Sequence, residues 1–181
     1  MPDNKVIAVD EHSPLFSREG MFYKKFSSDF RQIRYYTLLI VQKAPTGIRE
    51  INLLEQQISE IIKNAIKHGN RNDPGKAIEV WFSFNDGEAR LIVQDQGQGF
   101  KRLEEWNKFN RKRTECFVKQ NFEEMEKYVS FRTADSDDMD SGNALFAALE
   151  YWNSGVVFTE KRNCVVVCKT FPKRRHGLKI S

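Results

Sequence analysis

The sequence predicts an α+β protein, a two-layer α/β sandwich in which helices cover one face of a mixed, mostly antiparallel sheet. Three observations support this fold class. Segments with strand and helix patterns follow in the order strand, helix, helix, hairpin, long insertion, helix, hairpin. Apolar residues alternate on both sides of a strong hairpin turn at Asp86-Gly87. A clear amphipathic helix over residues 51–70 precedes that hairpin, whereas a doubly wound sheet would need regular alternation of strands and helices.

The first predicted elements follow a polar N-terminal extension over residues 1–20. The stretch MFYKKF predicts a short strand. Ser and Asp in the next stretch, SSDF, are typical helix-capping residues, so a helix is predicted to begin there. Its apolar positions run from Phe30 to Val41, and we expect Pro45 and Gly47 to end it.

The second helix, INLLEQQISEIIKNAIKHGN, has one apolar face and one polar face. Gly69 is predicted to end it. Glu60 and Asn64 are four residues apart, so their side chains are neighbours on the polar face. A carboxylate beside an amide oxygen can position a hydroxyl next to a hard cation, and an ordinary solvated helix face is the alternative. The apolar face comprises Leu54, Ile58, Ile61, Ile62, Ala65 and Gly69.

The hairpin leads into the stretch DQGQGF. Asp95 has the same parity as Leu91 and Val93, so its carboxylate is predicted to point into the protein. The stretch fits neither a dinucleotide-binding fingerprint nor a P-loop. Gly97 and Gly99 can let the backbone approach a planar ligand, and an inward carboxylate can accept a hydrogen bond from an exocyclic amine. A plain turn is the alternative.

The segment over residues 101–140 is long for a connection, which predicts either a helical insertion or a mobile lid. Its aromatic residues at helical spacing predict a packing face, with a partner-binding patch as the alternative. A helix with Ser141 near its start and a final hairpin complete a single domain over residues 21–172. A basic tail, residues 173–181, follows.

Composition excludes several classes of function. The net charge is only +4, which argues against nucleic acid as a partner despite the basic tail. The three cysteines have no metal-ligand spacing and are expected to be reduced thiols in a cytoplasmic protein. We expect no membrane association, because the N-terminus lacks a signal-peptide pattern and the longest apolar stretch is too short to span a bilayer.

The combination of EIIKNAIKHGN, a hairpin and DQGQGF resembles the ATPase family that includes gyrase, histidine kinases and mismatch-repair ATPases, whose fold is called the Bergerat fold. Within that family, the chain is most similar to the small anti-sigma-factor serine kinases, where a variant such as HGNRNDPGK is familiar. The resemblance covers roughly residues 22–171.

The resemblance implies a role for each matching position. Glu60 matches the general base that acts on the attacking hydroxyl, and Asn64 matches the amide that binds magnesium. Asp95 matches the acid that receives the adenine amino group, while Gly97 and Gly99 match the glycines beside the base. The first residue of the family's second glycine motif is matched by Gly142. At the next expected glycine this sequence has Ala144, whose methyl group can crowd a phosphate.

ATP and Mg²⁺ are the cofactors that the resemblance implies. The implied function is a cytoplasmic regulator that binds a sigma factor or a similar regulatory protein and phosphorylates an anti-sigma-factor antagonist on serine or threonine. The resemblance also admits a homodimer. The alternative is a non-catalytic interaction module that retains the fold with weak or no ATP binding, and Ala144 motivates it.

Overall fold

A single mixed sheet organises the chain in a computed structural model that describes residues 6–128 and 144–173. The strand order across this six-stranded sheet is β1-β5-β6-β4-β3-β2. Neighbouring strands are antiparallel except β1 and β5, which are parallel. The strands are β1 (Ala8–Val9), β2 (Phe22–Ser27), β3 (Ala77–Phe84), β4 (Glu88–Gln94), β5 (Gly155–Phe158) and β6 (Cys164–Thr170).

Helices between these strands confirm the predicted α+β class. The helix bounds are α1 (Ile33–Val41), α2 (Ile51–Asn64), α3 (Leu103–Val118), α4 (Phe122–Met125) and α5 (Ala144–Tyr151). A 3₁₀ turn precedes α1, where the Asp29 side chain accepts a hydrogen bond from the Arg31 backbone N–H at 3.0 Å, as the capping signal predicted.

The main core lies between the helices and one face of the sheet. The predicted apolar face of α2 is buried there, with Leu54, Ile58 and Ile62 fully enclosed. In α1 the apolar pattern is confirmed except at Phe30, which is 48% exposed because it lies in the 3₁₀ turn before the helix. The predicted second helix does not continue as α-helix to Gly69: a π-helical segment, Ala65–Gly69, replaces its last turn.

The second face of the sheet is covered by the N-terminal segment, which the sequence pattern did not predict. Leu15, Phe16 and Met21 pack against a buried cluster on that face. The Arg18 guanidinium lies 3.6 Å from the centre of the Trp81 ring, a cation–π contact that fastens the segment to β3. The cluster consists of Ile92, Val157, Cys164 and Val166.

Helix α3, the first part of the long insertion, packs into the domain. Trp106 is fully buried, and its ring centroid lies 5.1 Å from that of Phe146 in α5. The Asn107 side chain accepts a hydrogen bond from the Ile7 backbone N–H at 3.0 Å and donates one to the Ile7 carbonyl at 2.9 Å. The helix is therefore fastened both to the core and to the segment that precedes β1.

The predicted packing face of the insertion is confirmed only in part. Trp106 and Phe109 pack, whereas Phe117 at the C-terminal end of α3 is 68% exposed and Phe122 in α4 is 61% exposed. Residues 129–140 of the insertion, including its acidic patch, lie outside the described residues, as do residues 174–181 of the basic tail.

All three cysteines are free and buried. Within residues 6–128 and 144–173, no helix is both long and apolar enough to cross a bilayer.

Candidate functional site

Asp95 follows the last residue of β4, and its carboxylate points into the protein, as its parity predicted. Its backbone N–H donates to the Asn163 carbonyl at 2.9 Å, and its Oδ1 accepts a hydrogen bond from the Gly97 N–H at 2.7 Å. Burial raises the pKa of this carboxyl to about 6, against the opposing effects of the Gly97 hydrogen bond and the Lys76 charge. The pKa rises because the carboxyl group is partly kept away from water, which disfavours its charged form.

Gly69 lies directly against this carboxylate. A methyl group added to Gly69 would overlap the Asp95 carboxyl group, and one added to Gly97 would overlap the Gly69 carbonyl. The sequence pattern indicated Gly69 only as a helix stop. Its absent side chain instead makes room for the candidate adenine-binding acid.

The stretch DQGQGF, residues 95–100, forms a loop that we call the glycine loop. Its far side is held by the turn between β5 and β6. Gly99 adopts a positive φ of 95°, and a side chain there would overlap the Lys161 carbonyl. The Phe100 N–H donates to the Arg162 carbonyl at 2.9 Å. The Arg162 guanidinium in turn pairs with Glu104, in the first turn of α3.

Asn70 is a site residue that sequence reasoning missed, although it lies in the stretch HGNRNDPGK that contributes to the family resemblance. Its side chain is completely buried, and its Oδ1 accepts a hydrogen bond from the Gln96 N–H at 2.7 Å. Its Nδ2 donates to the Ala77 carbonyl at 3.0 Å. An asparagine between a helix end and a turn was the available signal, but its partners are distant in sequence.

Glu60 and Asn64 lie on the polar face of α2, and both residues are half-buried. The Glu60 carboxylate is 3.9 Å from the Lys63 Nζ, and it lines a groove between α1 and α2 together with Ser59 and Gln56. The Asn64 side chain makes no hydrogen bond to any described residue. Its amide is therefore available to a ligand, and the π-helical segment begins immediately after it.

The structure thus connects the glycine loop to the helix that carries Glu60 and Asn64. Asp95 and Gly97 contact Gly69, which lies on the same continuous helical segment as Glu60 and Asn64. The described ranges contain no group of three or more His, Cys, Asp or Glu side chains that could hold a metal ion.

The second glycine motif is described only from Ala144 onward, where α5 begins. Gly142, the predicted phosphate-binding glycine, and Ser141 lie outside the described residues.

An adenine base fits the chemistry of the described groups. Asp95 Oδ1 is engaged by the Gly97 N–H, whereas Oδ2 accepts no hydrogen bond from the described part of the chain. A partly buried carboxylate oxygen without a donor favours a ligand that brings one, and an exocyclic amine is such a donor.

Comparison with known families gives a match over most of the chain. Residues 29–168 match the family model described as a histidine kinase-like ATPase domain. The matched range includes α1 to α5 and strands β3 to β5, together with most of β6. It begins after β1, the N-terminal segment and β2.

Curated proteins similar to this chain include several anti-sigma F factors. That of Shouchella clausii is 36% identical over 66 residues, which are 36% of this chain and 44% of the relative. That of Geobacillus kaustophilus is 35% identical over the same shares. That of Clostridium perfringens strain 13 is 36% identical over 36% of this chain and 46% of the relative. The match thus spans less than half the length of each relative.

Proposed function

This chain belongs to the histidine kinase-like ATPase domain family, and we propose that it is an ATP-binding regulator of the anti-sigma-factor type that phosphorylates an antagonist protein on serine or threonine. The observation that carries the proposal is the contact between Asp95 and Gly69 beside the two-glycine loop. Beside this contact, the partly buried Asp95 Oδ2 accepts no hydrogen bond from residues 6–128 or 144–173, so it can receive one from the adenine amino group.

Asp95 would accept the hydrogen bond of the adenine amino group, and Gly97 and Gly99 would line the path of the base. Both glycines are tightly packed against backbone carbonyls, of Gly69 and Lys161 respectively. A loop held in this way is largely formed before the ligand arrives, which reduces the entropy lost on binding.

Glu60 would act as the general base. Its carboxylate faces the groove between α1 and α2, from which a hydroxyl group can approach. Glu60 would take the hydroxyl proton as the oxygen bonds to the γ-phosphorus of ATP, and the bond from that phosphorus to the bridging oxygen of ADP would break. The Asn64 amide oxygen would hold Mg²⁺, which neutralises phosphate charge when bound.

The regulatory part of the proposal is supported by the similar anti-sigma F factors. We propose that the chain binds a sigma factor or a related regulatory protein and that the antagonist is its phosphorylation substrate. The exposed Phe117 and Phe122 in the insertion are available as contacts for such partners.

Phosphotransfer is the direct test. Wild type would be incubated with γ-labelled ATP, Mg²⁺ and candidate antagonists, beside Glu60→Gln, which keeps the side-chain shape and removes the base. Label should pass to the antagonist with wild type and fall by about 10²-fold or more with the variant, while both bind ATP alike. Equal labelling with both proteins would refute the role of Glu60, and no transfer to any antagonist would refute the kinase proposal.

The second candidate function is a non-catalytic interaction module, which Ala144 at the start of α5 favours. A thermal shift with ATP and Mg²⁺ distinguishes the two, because a ligand that binds only the folded state raises the melting temperature. Absence of a shift at millimolar ATP would favour the interaction module.

A further inference from the structure

Three segments of the site are joined by a closed ring of hydrogen bonds. The Asn70 Nδ2 donates to the Ala77 carbonyl at 3.0 Å, and the Ala77 N–H donates to Gln96 Oε1 at 2.7 Å. The Gln96 N–H then donates to Asn70 Oδ1 at 2.7 Å, which closes the ring. The three residues belong to the end of the helical segment, the start of β3 and the glycine loop.

The ring is built around a buried polar group. Asn70 is completely buried, and its backbone N–H also donates to the Ala65 carbonyl at 2.8 Å, which completes the π-helical turn. Both ends of the amide are used, so its orientation is determined by its partners. Such a fully paired buried group rigidifies its surroundings.

Asp95 lies between two backbone N–H groups that are both held by hydrogen bonds. Its own N–H donates to the Asn163 carbonyl at 2.9 Å, and the next N–H in the chain, that of Gln96, belongs to the ring. Fixing both peptide groups fixes the direction of the Asp95 side chain, which carries the acceptor for adenine. The ring reaches Asp95 only through the backbone.

We infer that Asn70 and Gln96 are positioning residues that set the preference of this site for an adenine base. The inference rests on the proposed function, since it assumes that Asp95 receives the adenine amino group. Neither residue needs to touch the nucleotide. Their hydrogen bonds hold the Asp95 carboxylate against Gly69.

Gln96 offers the sharper experiment, because it is exposed and its substitution leaves the core intact. Gln96→Met keeps the length of the side chain but removes the acceptor for the Ala77 N–H. Gln96→Glu keeps an acceptor oxygen at the same position. Gln32→Ala is the matched control, since that exposed glutamine at the start of α1 makes no side-chain capping bond.

The measurement is the dissociation constant for ATP and for inosine triphosphate, which has a carbonyl oxygen where adenine has its amino group. With Gln96→Met, ATP should bind roughly two- to tenfold more weakly, the range that one net hydrogen bond supplies, and its preference over inosine triphosphate should fall. Gln96→Glu and Gln32→Ala should keep the wild-type preference.

Three results would overturn the inference, and they are distinguishable. If wild type prefers ATP and Gln96→Met retains the same preference, the ring does not position Asp95 although the proposed function stands. If wild type binds neither nucleotide, the proposed function fails and the inference fails with it. A loss of stability alone would weaken both nucleotides equally and so would also count against the positioning role.

Discussion

Gly69 and Asp95 are in van der Waals contact, with the carboxylate of Asp95 occupying the space that a side chain at Gly69 would need. This contact couples the end of the second helix to the glycine loop. It also makes glycine a requirement at this helix end, because the side chain of any larger residue would displace the Asp95 carboxylate.

Gly69→Ala is therefore expected to abolish adenine recognition while the protein still folds. The added methyl group must push the Asp95 carboxylate away, so the affinity for ATP should fall by about tenfold or more, as when a specific hydrogen bond and its alignment are both lost. Isothermal titration with ATP measures this effect.

Gly87→Ala is the matched control for that substitution. A methyl group at Gly87 would meet the Asn85 side-chain oxygen at an ordinary distance of 3.6 Å, and the residue lies in the hairpin turn away from the loop. Unchanged ATP affinity in Gly69→Ala would show that the contact with Asp95 has no bearing on nucleotide binding.

The Asp95 carboxylate is expected to be a liability for stability. Its pKa is about 6 in the folded protein and near its ordinary value of 3.8 when unfolded, so between these two pH values the folded state binds more protons. The free energy of unfolding therefore decreases as pH rises through this window and stays lower above it. Asp95→Asn should raise the melting temperature at pH 7 but not at pH 4.

Thermal denaturation at both pH values checks this prediction, with Asp86→Asn in the exposed hairpin turn as the control. The groups facing Asp95 are the Gly97 N–H and the Lys76 ammonium group, together with the Cys164 thiol. A variant that is less stable than wild type at pH 7 would mean that these partners outweigh the penalty of burial.

Asn64→Ala should remove the dependence of ATP binding on magnesium. The side chain has no hydrogen-bond partner among the residues that the structure describes, so its loss should leave stability nearly unchanged. We expect Mg²⁺ to increase the ATP affinity of wild type but not of the variant, as measured by titration with and without a chelator.

Asn52→Ala, at an exposed position in the first turn of the same helix, controls for the loss of an amide. If Mg²⁺ still strengthens ATP binding to Asn64→Ala as it does to wild type, the amide is not a ligand.

Trp106→Ala should destabilise the domain strongly, since the indole is fully buried between α3 and α5. Loss of a buried tryptophan costs about 3–5 kcal/mol of unfolding free energy. Phe117→Ala, on the same helix but 68% exposed, should change it by less than about 0.5 kcal/mol. Urea denaturation of the two variants distinguishes a core helix from an independently moving lid, for which both effects would be small.

Local patterns sufficed for the hairpin and for the apolar face of α2, because alternation and helical periodicity report burial within one element. The inward direction of Asp95 followed from the same alternation. The ring of hydrogen bonds that includes Asn70, by contrast, depends on partners at Ala77 and Gln96 that no local pattern identifies. The π-helical segment, whose geometry depends on packing against the loop, was likewise unpredictable.

Strand β1 escaped prediction for a related reason. Two residues, Ala8 and Val9, carry too little periodicity to indicate a strand, and their partners lie near the other end of the chain. The roles that we propose for Glu60 and Asn64 rest on a family resemblance, since a carboxylate and an amide on a helix have no special signature of their own.

The pairing of Ala8 with Val157 has a consequence for biosynthesis. Strand β1 is synthesised before β5, but it can pair with β5 only after strands β2, β3 and β4, which lie between them in the chain, have been made. The N-terminal segment that follows β1 packs against Ile92 and Val166. A sheet that forms before this segment is anchored exposes apolar surface, and exposed sheet surface favours aggregation.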